Sequence, residues 1–583
     1  MANSNPLIQV KNLDLHFGAF HALKNVSVDF HAGELIGLVG DNGAGKTTLI
    51  RVLCGIYAPT SGEVFFDGNK VEKFHPKLAI DQGIETIQQS VGLCDNLSIA
   101  RNFYLGREPV KRVLGIPFLD MGKMREKSTR VIRQFGLRAN VSADDEVERL
   151  SGGERQSVKI GRAVEFKNRV VIMDEPTNHL SVREREHVNE LAVQLKEQGL
   201  LVIYITHDIF QVHRLADRIC DHGEWRKGRG RNDGFHDGGR TRRGYPPGRA
   251  RRGKAGGGLM ALSSAKPLIR RHAEIGIFLI GVVLIVIFAS TSCGRWANLY
   301  NIGTILQVTA TLGLMSLGVA LVIGTGEIDI SVGSTFGMGA LTYLWLAAQV
   351  DPSIAAVAAV LVGAAIGLFN GLLVTRTGTP SLIITLGTLM IFRGIAIALT
   401  EGFSFSIPYA ARKGWTYFVL GGGDFLGFNT ALYWLMTLTV ILLVALKATP
   451  FGNRLLAVGG SAESAHSRGI RVDHIKLSAF VLCGMLAGFA GTLEAGKLGF
   501  ADGSMGRLME LQAIASCVLG GCLLAGGRIS LPGALMGAFV LSSIQSYLVV
   551  TGVRPQWFIL VLGLIVVLAA YGDRSLRQWA LRK

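Results

Sequence analysis

Gly40-Asp41-Asn42-Gly43-Ala44-Gly45-Lys46-Thr47-Thr48 stands between an apolar run, Leu35 to Val39, and the segment Leu49-Ile50-Arg51-Val52-Leu53. This order predicts a strand, a glycine loop and a helix. Glycines let backbone N–H groups curl around phosphate oxygens, and the helix N-terminus adds the positive end of its dipole. In such a loop Lys46 reaches the β- and γ-phosphates of a nucleotide, and the Thr47 hydroxyl ligates Mg²⁺.

Working outward, the 583 residues divide into unlike halves. Residues 1 to 220 mix charge and apolar side chains as a soluble domain does, whereas from Glu274 onward Leu, Val, Ile, Ala and Gly dominate. The formal charge of +17 does not point to nucleic acid, because it is local. Eleven basic and four acidic residues fall between Asp221 and Gly258, and most of the remainder flanks hydrophobic spans, where it reports membrane orientation. The seven cysteines are scattered without a Cys-x-x-Cys pair, which suggests neither a disulfide framework nor a zinc site. Met1 to Asn5 lacks the basic and apolar regions of a signal peptide, so the first domain is expected in the cytosol.

Within the first half, Ile8 to Phe17 and Leu23 to Phe30 alternate as strands of a half-buried sheet do. Phe17, just before Gly18, reads equally as a ring that stacks on adenine and as a core aromatic. Gln89 ends the run from Gly83, where a glutamine either touches Mg²⁺ or is a solvated loop residue. Ser151-Gly152-Gly153-Glu154 opens a helix whose small residues let its N-terminus approach a phosphate. The strand from Arg169 ends in Asp174-Glu175, two carboxylates with separable jobs: Asp174 holds Mg²⁺ through water and Glu175 polarises the attacking water. His207 ends the strand Leu201 to Ile205, where it reaches toward the γ-phosphate.

Phosphate loop, glutamine, Leu-Ser-Gly-Gly-Glu, Asp-Glu-Pro-Thr and Thr-His-Asp, in that order, resemble the ATP-binding cassette of ABC transporters from about Leu7 to Ile219. The resemblance implies an α/β P-loop NTPase with a helical subdomain, using ATP and Mg²⁺. It assigns Phe17 to adenine, residues 40 to 48 and Gln89 to the nucleotide, and Thr47, Gln89 and Asp174 to the metal. Glu175 is the implied catalytic base, His207 the switch histidine, and Ser151 to Glu154 the signature that meets a partner's ATP. Glu154 replaces the usual signature glutamine, and Ser181 stands where many cassettes carry an aspartate. One cassette per chain implies a second copy of the chain.

Residues 221 to 260 contain twelve glycines up to Gly258 and read as a basic, flexible tether or as an aberrant junction left by a frame change or gene fusion. The remainder, 261 to 583, carries about ten apolar spans, an all-α polytopic membrane domain with both ends on one side. Fourteen Lys/Arg fall on the side of the cassette against six opposite, which places the cassette and both termini in the cytoplasm. Acids within such a domain face protein or a cavity, so Glu327, Asp329 and Asn370 are candidates for the substrate path, with an ordinary cytosolic turn as the alternative for the two acids. The polar loop 459 to 470 is the candidate contact with the cassette.

Residues 262 to 575 resemble permeases of bacterial sugar importers of the ribose and fructose type, through Gly-Glu-Ile-Asp-Ile-Ser-Val-Gly-Ser (326 to 334), Phe369 to Val374, Thr385 to Thr388, Arg393-Gly394, the 459 to 470 loop and Leu519 to Gly521. The resemblance implies a homodimer in the bacterial inner membrane that imports a monosaccharide delivered by a separate periplasmic binding protein, with 459 to 470 as the coupling helix. Another small polar solute, such as a nucleoside, inositol or a branched-chain amino acid, is the nearest alternative. An ATP-driven exporter and an uncoupled fusion are the others.

Overall fold

The computed structural model describes residues 5–40, 43–87, 92–134, 141–166, 168–178, 182–220, 274–407, 412, 414–554 and 556–568. Asp41, Asn42, Gln89, Ser181 and the whole 221 to 260 junction lie outside the described residues. The chain forms two compact units: Met1–Val91 with Gly152–His272, and Gly92–Ser151 with Ala273–Lys583.

In the first unit, short runs of Leu, Ile and Val form a parallel sheet buried on both faces, so they show no alternation. Its strand order is Arg218–Cys220, Leu35–Leu38, Leu201–Ile205, Val170–Asp174 and Ile84–Ile87. Leu35–Leu38 and Leu201–Ile205 are neighbours, paired Ile205 to Leu38, so the phosphate loop and the Thr206-His207 segment leave adjacent strands at the same edge. Asp174 pairs with Ile205 one strand further on. The phosphate loop, Asp174-Glu175 and Thr206-His207 are therefore delivered to the carboxyl end of one sheet.

A second, antiparallel sheet joins Phe20–Phe30, Ile8–Phe17, Ser61–Phe66 and Asn69–Lys70, and its alternating apolar face closes the same core. The helix Gly152–Glu165 is fastened to the parallel sheet by an ion pair inside the protein: Arg162 Nε lies 3.3 Å from Glu85 Oε1, with both side chains at 1% exposure or less.

The second unit begins with cassette sequence. Ile99–Phe103, the hairpin Val110–Val113 with Ile116–Leu119, and Met121–Gln134 are its first elements. The remainder is helical. Leu299–Gly324, Pro352–Thr377, Ser381–Thr400, Thr430–Ala448, Val472–Leu498 and Leu531–Val550 are long and apolar enough to cross a membrane. That gives six candidate spans among the described residues where the sequence leads one to expect about ten. Gly276–Thr291, Met509–Leu519 and Trp557–Leu568 are apolar but shorter.

Val332–Ala347, with 16 helical residues, is a fourth shorter apolar helix, and the chain before it is unwound. Glu327 pairs with Lys476 near one end of Val472–Leu498, whereas the Phe336 backbone lies against Gly491 near the other end. Thr325 to Ser331 thus climbs beside that helix as non-helical chain before the helix begins. Glycines make the packing of this unit close: a Cβ on Gly484 would fall on the Gly363 carbonyl, and one on Gly339 would fall on Gly488. Small residues at facing positions let helix backbones approach in this way.

Candidate functional site

The loop between Leu35–Leu38 and the Lys46–Leu53 helix needs glycine for a geometric reason. Gly43 and Gly45 have φ of 91° and 88°, and a Cβ on Gly45 would lie 2.9 Å from the Ala22 carbonyl. Lys46 is buried and its ammonium donates to the Gly40 carbonyl at 2.5 Å, which folds the side chain back over the loop. Thr47 is exposed at the mouth of the loop and Thr48 is half-buried. Ala44 is half-buried beside them.

Glu175 follows the buried strand with φ of 48°, a left-handed conformation that is uncommon for a residue with a side chain. Its N–H donates to the Ile205 carbonyl at 2.9 Å, and one carboxylate oxygen lies 3.3 Å from His207 Nδ1. The other oxygen accepts from the Asn178 amide. His207 is 63% exposed and Glu175 20% by side chain, so the pair forms the open rim of the site. Burial raises the Asp174 carboxyl above the usual range, the neighbouring Glu175 adds to this, and Arg51 and Lys46 oppose it. An acid desolvated beside a second acid and two cations is a donor set suited to a divalent cation held with phosphates. Of the expected metal ligands, Asp174 belongs to this set.

Phe17 is 45% exposed at the tip of the Ile8–Phe17 and Phe20–Phe30 hairpin. Its ring meets Tyr57 edge-on at 5.1 Å, and Arg51 donates to the Tyr57 hydroxyl at 2.8 Å. Tyr57 and Arg51 were not legible as site residues from the sequence, since neither belongs to a loop motif. Arg51 at least lies one helical turn after Thr47 and Thr48, which is a detectable signal. Ser151 and Gly152 are exposed, Gly153 packs so closely on Glu184 that a Cβ would collide with its carboxylate, and Glu154 is buried.

In the second unit, the loop 459 to 470 is where cassette sequence and membrane sequence meet. Ser461 caps the Ala462–Ser467 helix through the Ser464 N–H. The Gly92 N–H donates to Ser464 Oγ at 3.1 Å, and the Arg468 guanidinium donates to the Gly92 carbonyl at 3.2 Å. Asn96 Nδ2 donates to the carbonyls of Leu456 and Gly527 at 2.9 and 2.5 Å. Glu108, 1% exposed by side chain, accepts from Asn453 at 3.1 Å and pairs with Arg454 at 3.0 Å. Cys94, Leu97 and Leu105 share one apolar core with Ala457, Val458, Ala465 and Ile470. Burying a leucine is worth about 1.5–3 kcal/mol, so Leu97 and Leu105 make this attachment a packed one. Asn96, Glu108, Asn453 and Arg454 carry no motif and were not among the sequence candidates.

Glu327, Asp329 and Asn370 come together at the unwound segment. Glu327 accepts from Lys476 at 2.6 Å. One Asp329 oxygen accepts from the Ser331 N–H at 2.8 Å and from its hydroxyl at 2.7 Å, and Asn370 Nδ2 donates to that hydroxyl oxygen at 2.7 Å. Ser381 and Thr385 take the Ile328 and Ile330 N–H groups at 3.0 and 3.2 Å. Backbone leaves a helix at membrane depth only when protein satisfies it, and these side chains do so.

Comparison with known proteins matches the two halves of the sequence to two different families. The family model described as ABC transporter matches residues 23–178, and the one described as branched-chain amino acid transport system / permease component matches 301–570. A xylose/arabinose import ATP-binding protein of Sulfolobus acidocaldarius is 42% identical over 213 residues, 36% of this chain and 83% of that protein. A ribose import ATP-binding protein of Escherichia coli O157:H7 is 40% identical over 217 residues, 37% of this chain and 42% of that protein, so the chain spans about two-fifths of the ribose relative. Among solved structures, a nucleotide-free ATP-binding cassette from an ABC transporter is 23% identical, aligned over 37% of this chain and 87% of that one with a TM-score of 0.33. A nucleotide-binding ATPase cassette with sugar-import relatives, followed by a permease component in the same polypeptide, makes this chain a member of the ABC transporter family.

Proposed function

We propose that the chain imports a monosaccharide across the bacterial inner membrane at the expense of ATP, as a homodimer served by a periplasmic binding protein. The observation that carries this reading is the packed contact of residues 92–108 with 453–470, which ties cassette sequence to permease sequence within one core. Relatives named for xylose/arabinose and ribose import supply the substrate class.

In this reading Lys46 and the N–H groups of the loop bind the phosphates, Phe17 holds the adenine ring against Tyr57, and Glu175 takes the proton of the attacking water while His207 orients it. Thr47, Gln89 and Asp174 would hold Mg²⁺, which would supply positive charge against the phosphates. Ser151, Gly152, Gly153 and Glu154 present the signature to the partner copy's nucleotide. Glu327, Asp329 and Asn370 hold the unwound segment and place it on the substrate path. Residues 92–108 then pass the closing of two cassettes to the Ala462–Ser467 helix.

Uptake of labelled xylose, ribose, arabinose, galactose and inositol into proteoliposomes, with the neighbouring binding protein supplied, tests the reading. One sugar should accumulate with ATP and not with the Glu175→Gln variant. Accumulation of leucine or isoleucine instead would favour a second reading, import of a branched-chain amino acid, which the permease match itself motivates.

A further inference from the structure

Within the second unit a cavity of about 260 Å³ opens where cassette sequence meets the ends of two membrane helices. Leu443, Leu446, Leu456 and Leu531 give it an apolar wall, and Arg101 and Lys447 bring two cations to it. Lys447 lies in the last turn of Thr430–Ala448 and Leu531 opens Leu531–Val550. The cavity therefore sits at the ends of two helices that the membrane reading places across the bilayer.

With Asp144 paired to Arg125, the cavity keeps two cations, Arg101 and Lys447, against one acid, Glu146. Arg101 donates to the Lys447 backbone carbonyl at 2.7 Å, a neutral acceptor, and among the described residues neither Arg101 nor Lys447 makes an ion pair. Burial pushes the Arg101 guanidinium below its ordinary value, with Arg125 adding to the effect and Asp144 opposing it. Of the two acids at the cavity, Asp144 is engaged by Arg125 at 2.8 Å, and Glu146 is the other. Lys447 is exposed, but Arg101 is half-buried with no ion pair among the described residues, and an anion entering the cavity offsets the cost of withdrawing that one cation from water.

We propose that this cavity binds an anionic phospholipid, with its phosphodiester between Arg101 and Lys447 and its acyl chains leaving past the half-buried Leu443 and Leu456. Basic pockets beside membrane helices recognise phosphate headgroups in this way. The lipid would touch the Ile99–Phe103 helix and both membrane helices at once, and so would tune the contact that couples ATP to transport. The inference rests on the membrane reading of this half but not on which solute is carried.

The full chain, reconstituted in nanodiscs of phosphatidylcholine with or without phosphatidylglycerol, provides the test. Native mass spectrometry counts phosphatidylglycerol retained on release, and ATPase activity is read in the same discs. Each surface cation adds about 1 kcal/mol of attraction to an anionic lipid, so the Arg101→Gln/Lys447→Gln variant should retain phosphatidylglycerol roughly thirtyfold more weakly. It should also lose the lipid's effect on ATPase while matching the parent in phosphatidylcholine. Arg101→Lys should restore retention, and Arg376→Gln, a cation at the end of another membrane helix, should leave it unchanged. Equal retention by the double variant would overturn the proposal. So would an equal effect of inorganic phosphate in phosphatidylcholine discs, which would assign the cavity to a free anion.

Discussion

Glu175 carries its carboxylate on a left-handed backbone, pinned by the Ile205 carbonyl and aimed between His207 and Asn178. Such a conformation costs on the order of 1–3 kcal/mol and persists where surrounding structure fixes it. Glu175→Gln should lower ATP turnover at least about a hundredfold, the ordinary contribution of a general base, and leave ATP affinity nearly unchanged. Turnover and equilibrium binding measured on the same preparation check both parts. Phe17→Ala should act the opposite way, weakening ATP roughly five- to tenfold through the loss of an aromatic contact of about 1 kcal/mol. Asp174 has a pH signature. Its folded pKa is raised by burial and by Glu175, so between its unfolded value of 3.8 and that raised value the unfolded chain binds fewer protons. Stability therefore falls as pH rises through this window. Asp174→Asn should raise the melting temperature of the nucleotide-free cassette at pH 7 and flatten this dependence, while abolishing hydrolysis. The phosphate loop, the paired acids and His207 were readable because phosphate chemistry demands fixed residue types at fixed spacing. Tyr57 was not, because its contact with Phe17 depends on where the hairpin tip folds back.

At the scale of elements, Arg162 and Glu85 join the Gly152–Glu165 helix to the parallel sheet from inside the protein. Arg162→Ala leaves the Glu85 carboxylate buried and should cost about 3–5 kcal/mol of cassette stability, measured by denaturant unfolding. Gly484 lies against Gly363 with no room for a side chain, and Gly484→Leu should prevent assembly of the membrane unit, seen as loss of the monodisperse species in detergent. Strands and helices of the first unit follow from apolar runs and alternation, as the sequence predicts. The membrane count does not follow so simply, because hydropathy marks apolar runs, and four of those runs form helices of fewer than 18 described residues. The break from Thr325 to Ser331 is legible as an interruption between two apolar spans, but what satisfies its backbone is not: Ser381 and Thr385 lie some 55 positions away, where no local pattern reveals them.

Across the whole molecule, cassette sequence is shared between two cores. Residues 92–151 group with the membrane helices, and residues 152–220 return to the parallel sheet. Glu108 is the buried charge of that shared region, and Glu108→Ala leaves Arg454 and Asn453 without their acceptor. The variant should retain ATPase activity and lose most solute uptake, a split read by measuring both in the same proteoliposomes. Cys94 finds its acceptor, the Ala457 carbonyl, 363 residues later in the chain. Synthesis at about 5–20 residues per second puts roughly 20–70 seconds between the two. For that interval Cys94, Leu97 and Leu105 have left the ribosome and the surface that will cover them does not yet exist. Making both halves as one polypeptide ensures that the covering surface arrives tethered, at an effective concentration that no separately translated subunit has. The late half of the chain thus completes the folding of the early half.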